Sequence, residues 1–258
     1  MLMTIAVFWW EQIDYALDEE NWYNDKRCNV SNIKLQGDLI SYISNEGKDE
    51  DGVPLYDETS SEDIVRDIEE AEKDNDIKAI VLEIDSPGGY PVAAEEVANA
   101  LKRAKKPTIA LIREYGTSGA YYAATGADVI FASQNSDIGS IGVTMSYLDH
   151  SKENEKDGLT YNQISAGKFK DSGDSNKSLT LEEKELFMRD INILHENFIE
   201  AVADNRNIDI EKVKLLADGS TMLGQMALEN NLIDHIGGRY EVEEYLRKKI
   251  GGNIEICW

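Results

Sequence analysis

Two apolar runs that each break on glycine constrain this chain more than anything else in it. Ala79-Ile-Val-Leu-Glu-Ile84 runs into Asp85-Ser-Pro-Gly-Gly89, and Thr108-Ile-Ala-Leu-Ile112 leads to Gly116-Thr-Ser-Gly-Ala-Tyr-Tyr-Ala-Ala124. Continuous rather than alternating hydrophobicity marks strands buried on both faces, the situation of a parallel sheet covered by helices. Each run is followed by flexible backbone and then by a helical pattern, so each glycine segment falls at a strand-to-helix turn. The second turn also carries a hydroxyl, Ser118. A hydroxyl beside unpaired backbone N–H groups is the minimum equipment for acyl transfer, with serine as nucleophile and glycine N–H groups as oxyanion hole.

The strand–turn–helix rhythm extends on both sides. Thr59 or Ser60 caps a helix with Ile64, Ile68 and Ala71 on one face. Strand 77–85, helix 91–104, strand 107–113 and a helix from near Ser118 follow, then shorter strands at 128–133 and 141–147. Upstream, Asn29 to Ile43 reads as two short strands broken at Gly37-Asp38, and 45–59 as a mobile loop. Residues 150–178 are polar and read as exposed loop, with Thr160–Ser165 as a short strand. Thr180-Leu-Glu-Glu183 is a capping box opening a helix to about Arg206, with Leu186, Ile193, Leu194, Phe198 and Val202 inward. Further helices fall near 209–217, 223–231 and 239–249. The chain therefore divides into an N-terminal segment and linker (1–27), a catalytic α/β core (28–178) and a helical C-terminal extension of the same domain (179–258).

Charge excludes some functions. Fifty acidic against 26 basic side chains give a formal charge of −24, which argues against nucleic acid and against an anionic membrane surface. Cys28 and Cys257 lie near opposite ends, and neither has the CxxC or Cys/His company of a metal site. A disulfide between them is open to the chain but nothing in the sequence requires it, so two ordinary thiols are expected. No stretch approaches the roughly 20 apolar residues of a spanning helix. Met1 to Trp10 is apolar, stops at Glu11 and lacks the basic flank of a signal peptide. It reads either as the end of a membrane anchor or as a segment that packs on a partner subunit.

The residues alone leave the base for Ser118 open. A Ser-His-acid triad needs an imidazole within hydrogen-bond reach, and the chain has three histidines. His195, mid-helix, and His235, at a helix-to-loop junction, read as surface or packing residues. His150 is the competitor, in the charged loop Leu148-Asp-His-Ser-Lys-Glu-Asn154. Lysine is the other choice and works as a base only when desolvated. Lys168 and Lys170, in Ser165-Ala-Gly-Lys-Phe-Lys-Asp171, stand apart from the solvated charge runs.

Four motifs in order then resemble a known family. Asp85-Ser-Pro-Gly-Gly89, Thr117-Ser-Gly-Ala-Tyr-Tyr122, Ile138-Gly-Ser-Ile-Gly-Val143 and Gly167-x-x-Lys-Asp171 are similar to those of the signal peptide peptidase A family, and Ala217-Asp-Gly-Ser220 and Ala227–Gly237 to its C-terminal part. One Ser-Pro-Gly-Gly would be a weak signal; four motifs in register over residues 29–238 are specific. The resemblance implies an α/β Clp protease/crotonase-like superhelix of β-β-α units with a helical C-terminal extension. It also implies a serine endopeptidase with a Ser/Lys dyad, needing no cofactor and no metal. Matched by position, Ser118 is the nucleophile, Lys170 the general base and Gly89 and Gly119 the oxyanion donors. Ser140 matches the hydroxyl that orients the base, and Lys168 is the control. Signal peptides or other apolar, membrane-derived peptides are the implied substrates. Long members fuse two such domains and draw base and nucleophile from different halves, which implies a homo-oligomeric ring with a shared site. The implied location is membrane-associated, with the catalytic domain outside the cytoplasm, if the apolar start belongs to an anchor, and cytoplasmic otherwise. An acyl-CoA hydratase or isomerase, and a non-catalytic ring-forming subunit, are the alternatives on the same fold.

Overall fold

The structure is a computed structural model and describes residues 28–44 and 57–258. The expectations for 1–27, and for the loop up to residue 56, lie outside those residues. Ser60 does cap the first described helix, its hydroxyl accepting from the Asp63 N–H, and Ile64, Ile68 and Ala71 are the buried face.

A mostly parallel sheet organises the rest. β1 (Val30–Ile40), β2 (Glu58–Ser60), β3 (Ala79–Gly89), β4 (Thr108–Thr117), β5 (Val129–Ala132) and β8 (His235–Ile236) lie in the order β2-β1-β3-β4-β5-β8, all parallel. β6 (Asp137–Gly139) pairs with the far end of β4 and, antiparallel, with β7 (Thr221–Leu223). The helices are α1 (Ser61–Lys73), α2 (Pro91–Arg103), α3 (Gly119–Ala124), α4 (Ser151–Lys156), α5 (Leu181–Arg206), α6 (Ile210–Leu216), α7 (Gly224–Glu229) and α8 (Arg239–Ile250). Both faces of the central strands are covered, as continuous apolar runs require. Leu35, Leu82, Ile84 and Ile112 pack with Ile68, Val97, Leu101 and Tyr121 on one side. Val30, Val81, Ile109 and Leu111 pack with Val242, Leu246 and Ile254 on the other. Fully buried Tyr121 donates its hydroxyl to the Leu232 carbonyl, and burial pushes that phenol well up.

Glu83 is the exception within the apolar run, almost fully buried on β3. Burial opposes its charge, but Arg239 (2.9 and 3.1 Å) and Arg113 hydrogen-bond it and hold the carboxyl below its ordinary range.

Four expectations are corrected. Within Asn29–Ile43 there is one strand, Val30–Ile40, not two: Gly37-Asp38 makes a bulge, and parallel pairing with β2 and β3 continues beyond it. Residues 141–147 form no strand, because Ser140 turns the chain out with φ 51° and Met145 and Leu148 stand exposed with no neighbouring strand to pair. Thr160–Ser165 likewise has no strand partner, while a short helix, α4, precedes it. α5 starts and ends as expected, with both halves of its capping box formed, yet it is buried mainly from Phe198 onward; Ile193 and Leu194 are exposed.

The two thiols are also corrected: Cys28 and Cys257 are joined, Cα to Cα 5.4 Å. Sequence separation hid this. The chain's last residues run alongside the start of β1, where Val30 bridges Ile256 and the Cys257 N–H donates to the Val30 carbonyl. Two cysteines on adjacent extended segments then fall within bonding range.

Candidate active site

The two glycine turns meet at the ends of β3 and β4. Ser86, fully buried, knits the first turn: its hydroxyl donates to the Gly37 carbonyl at 2.6 Å and accepts from the Gly88 N–H at 3.1 Å. Thr117 ties the second turn to the first through the Pro87 carbonyl at 2.9 Å. Ser118 follows with φ 52° and ψ −126°, a conformation that L side chains rarely adopt. It is clamped on both sides: its N–H donates to the Gly139 carbonyl (2.7 Å), and its carbonyl accepts from the Tyr122 N–H (3.0 Å). A strained serine held this firmly between strand and helix is the arrangement by which a nucleophile is presented to solvent.

Gly89 and Gly119 close in on that serine. A Cβ placed on Gly119 would lie 3.1 Å from the Gly89 nitrogen, and one on Gly88 2.9 Å from both the Gly119 nitrogen and the Ser118 Cβ. Gly119 opens α3, so its N–H has no partner within the helix. The Gly89 and Gly119 backbones thus lie beside Ser118, where the expected oxyanion donors belong.

Ser118, Gly89, Gly119 and Ser140 line one cleft of about 730 Å³. Its walls are apolar at Val92, Tyr122, Met145, Ile191, Leu194 and Phe198, with carboxylates at Glu95, Asp190 and Asp218. Ser140, itself at positive φ, donates its hydroxyl to the Gly219 carbonyl (3.0 Å), leaving the oxygen's lone pairs free to accept. Lys170 is not among the residues lining the cleft, nor is any other lysine or arginine. It sits exposed between two turn hydrogen bonds, Lys170 N–H to the Gly167 carbonyl (3.1 Å) and Ser172 N–H to the Phe169 carbonyl (3.2 Å). No hydrogen bond or ion pair of its amine occurs among the described residues. Lys168, the control, pairs with Glu182 at 2.8 Å on the surface.

The histidines separate. His150 faces Glu153 (3.0 Å) outside the cleft, and His235 meets the Phe131 ring, tilted against it, on the neighbouring strand. His195 does line the cleft, and its Nε2 is buried without a hydrogen-bond partner. Reading it as a surface or packing residue missed this. The signal was present in the spacing: Ile191, His195 and Phe198 recur at the i, i+4, i+7 steps of one helix face.

Below the exposed lysine, Lys177 pairs with Glu183 at 2.7 Å, and the Thr180 backbone N–H adds 2.8 Å. Lys177 and then Thr180 pull the Glu183 carboxyl from 4.5 to about 2. A carboxyl depressed on folding stabilises fully above its unfolded value and loses that contribution as pH falls toward the folded one. Acid titration followed by circular dichroism should therefore show stability lost between about pH 4.5 and 2. Glu183→Gln should flatten that part of the curve.

Comparison with known proteins decides the family. The model for "Peptidase family S49" matches residues 100–251, and that for "ClpP-like SDH-type serine proteinase" matches residues 39–151. The chain belongs to peptidase family S49. Ser118 and Gly119 lie in both matched segments, Gly89 in the serine-proteinase segment alone and Lys170 in the S49 segment alone. A Methanocaldococcus jannaschii protein named as a protease is 34% identical over 185 residues, 71% of this chain and 58% of that protein. The chloroplastic serine protease SPPA of Arabidopsis thaliana is 32% identical over 69% of this chain and 27% of its own length. The chain thus spans little more than half the length of the first, and less of the second. Among solved structures, a ClpP1 point mutant from Listeria monocytogenes superposes with TM-score 0.52 at 13% identity, over 81% of this chain and 92% of that one. The fold is the expected Clp protease/crotonase type.

Proposed function

We propose that this S49 chain is a Ser/Lys endopeptidase whose active site is completed between copies. The observation that carries the reading is the division of the machinery. Ser118, Gly89 and Gly119 share one cleft that no lysine lines, while the motif lysine, Lys170, stands exposed and is not among the lining residues. A lysine acts as base only when water is removed from it, and closing Lys170 over a neighbour's cleft does that. The apolar side chains that stand exposed on the same segment, Leu148, Leu159, Ile164 and Phe169, give such a neighbour something to cover.

In the reaction, the neutral Lys170 amine takes the Ser118 proton as the hydroxyl oxygen attacks a peptide carbonyl. The Gly89 and Gly119 N–H groups hold the resulting oxyanion. The lysine ammonium returns the proton to the leaving amine, and a water deprotonated by the same amine releases the acyl group. No step calls for a cofactor or metal. The apolar walls of the cleft suit apolar segments, of which cleaved signal peptides are one class. The Cys28–Cys257 bond supports a domain kept in an oxidising compartment outside the cytoplasm. Among the described residues no helix is long and apolar enough to cross a membrane.

A second reading gives the proton to His195, whose buried Nε2 lacks a partner. A fluorophosphonate probe separates the readings. Wild-type protein should gain the probe mass on Ser118 and cleave apolar peptides. Lys170→Ala should lose cleavage and label Ser118 only slowly, while His195→Gln and Lys168→Ala keep the wild-type rates of both; the reverse pattern makes His195 the base. Absence of any label on Ser118 would instead favour a hydratase or a non-catalytic subunit.

A further inference from the structure

We infer that Lys177 and Glu183 are positioning residues for Lys170, a part-buried latch that fixes where the arm presents its amine. The inference rests on Lys170 being the base. The arm, residues 143–178, is exposed over most of its length and is largely tied to itself. Asp149 accepts from Ser151 and Ser178, the His150 N–H donates to the Ser175 carbonyl, and Asn154 donates to Asn176. Two ion pairs join it to α5 among the described residues. Lys168–Glu182 has both side chains more than 60% exposed, and such pairs hold little. Lys177–Glu183 differs: the Glu183 side chain is 5% exposed and that of Lys177 22%.

This part-buried pair reaches toward the residue next to the proposed base. The Lys177 Nζ also lies 3.6 Å from the Asp171 Oδ2, so one ammonium bridges the first turn of α5 and the residue next to Lys170. Asp171 is gripped from its other side by the Tyr161 hydroxyl, 2.9 and 3.0 Å from its two oxygens. Glu183 cannot swing with the arm, because its second oxygen is committed to the Thr180 N–H and hydroxyl in the capping box. The chain of fixed contacts therefore runs from α5 through Glu183, Lys177 and Asp171 to the backbone of Lys170. That is the pathway by which a rigid helix can place a side chain whose amine has no hydrogen bond or ion pair among the described residues. Misplacing a reacting group by about 1 Å costs on the order of 10²-fold in rate, so such a latch affects turnover without touching substrate.

The test is a mutant cycle on the full chain. Lys177→Met should lower kcat about 10- to 100-fold, with KM and the oligomer seen by native mass spectrometry unchanged. Lys177→Arg, which keeps the charge and can span both carboxylates, should recover most of the loss. In the Lys170→Ala background, Lys177→Met should slow fluorophosphonate labelling of Ser118 no further. Full kcat in Lys177→Met, or a loss that adds to that of Lys170→Ala, overturns the latch. If Lys170→Ala is itself fully active, the underlying base assignment fails and the latch with it.

Discussion

Mixing inactive Ser118→Ala protein with inactive Lys170→Ala protein is expected to restore peptidase activity. Each variant alone should lose at least about 10³-fold, since removing a nucleophile or its base disables the whole unit. In a head-to-tail ring built at random from equal amounts, about one interface in four joins an intact serine to an intact lysine. Recovery should therefore approach one quarter of wild-type turnover once subunits have exchanged. Exchange is checked by native mass spectrometry of differently labelled copies. Proven exchange with no recovery would put both groups in one chain and require the arm to fold back over its own cleft. The structure explains why the effect should be large: none of the residues lining the Ser118 cleft is a lysine.

Gly89→Ala is the second variant with a large expected effect. Gly89 has φ +155°, and a Cβ there would lie 2.0 Å from the Leu39 carbonyl oxygen and 2.7 Å from the Leu39 nitrogen. Those are backbone atoms of β1, which cannot rotate aside as a side-chain tip can. The turn must shift instead, carrying its N–H away from the proposed oxyanion position. Loss of one oxyanion donor costs roughly 10²- to 10³-fold in kcat, and the clash should also lower stability by about 1–3 kcal/mol. Gly158→Ala is the control: it too has positive φ, +71°, but no atom lies within 4 Å of its Cβ position. It should show only a small thermal shift and unchanged kcat. Equal losses in the two variants would mean that backbone strain alone, rather than the proposed donor at Gly89, accounts for the effect.

How much was legible in the sequence varied with the range of the interactions. The apolar runs, the Ser60 cap and the Thr180–Glu183 box act within a few residues, and the elements they imply are the observed ones. The 141–147 strand failed because strand propensity is inert without a neighbour to pair, and Ser140 turns the chain away from one. The inner face expected for α5 failed in its first half because periodicity marks an apolar face without saying what covers it. There the face borders the cleft, so His195 became a lining residue.

By itself, then, the sequence determined the parallel, doubly covered sheet and the two glycine turns that carry Ser118, Gly89 and Gly119. Those follow from local hydrophobicity and from glycine's conformational freedom, which travel with the residues. Only the tertiary structure decided that the Asp85–Gly89 and Gly116–Ala124 turns converge on one cleft, that Cys28 meets Cys257, and that Lys170 stands outside the cleft it is proposed to serve. Each of these depends on segments distant in sequence meeting in space, set by strand order and packing rather than by any residue's neighbours.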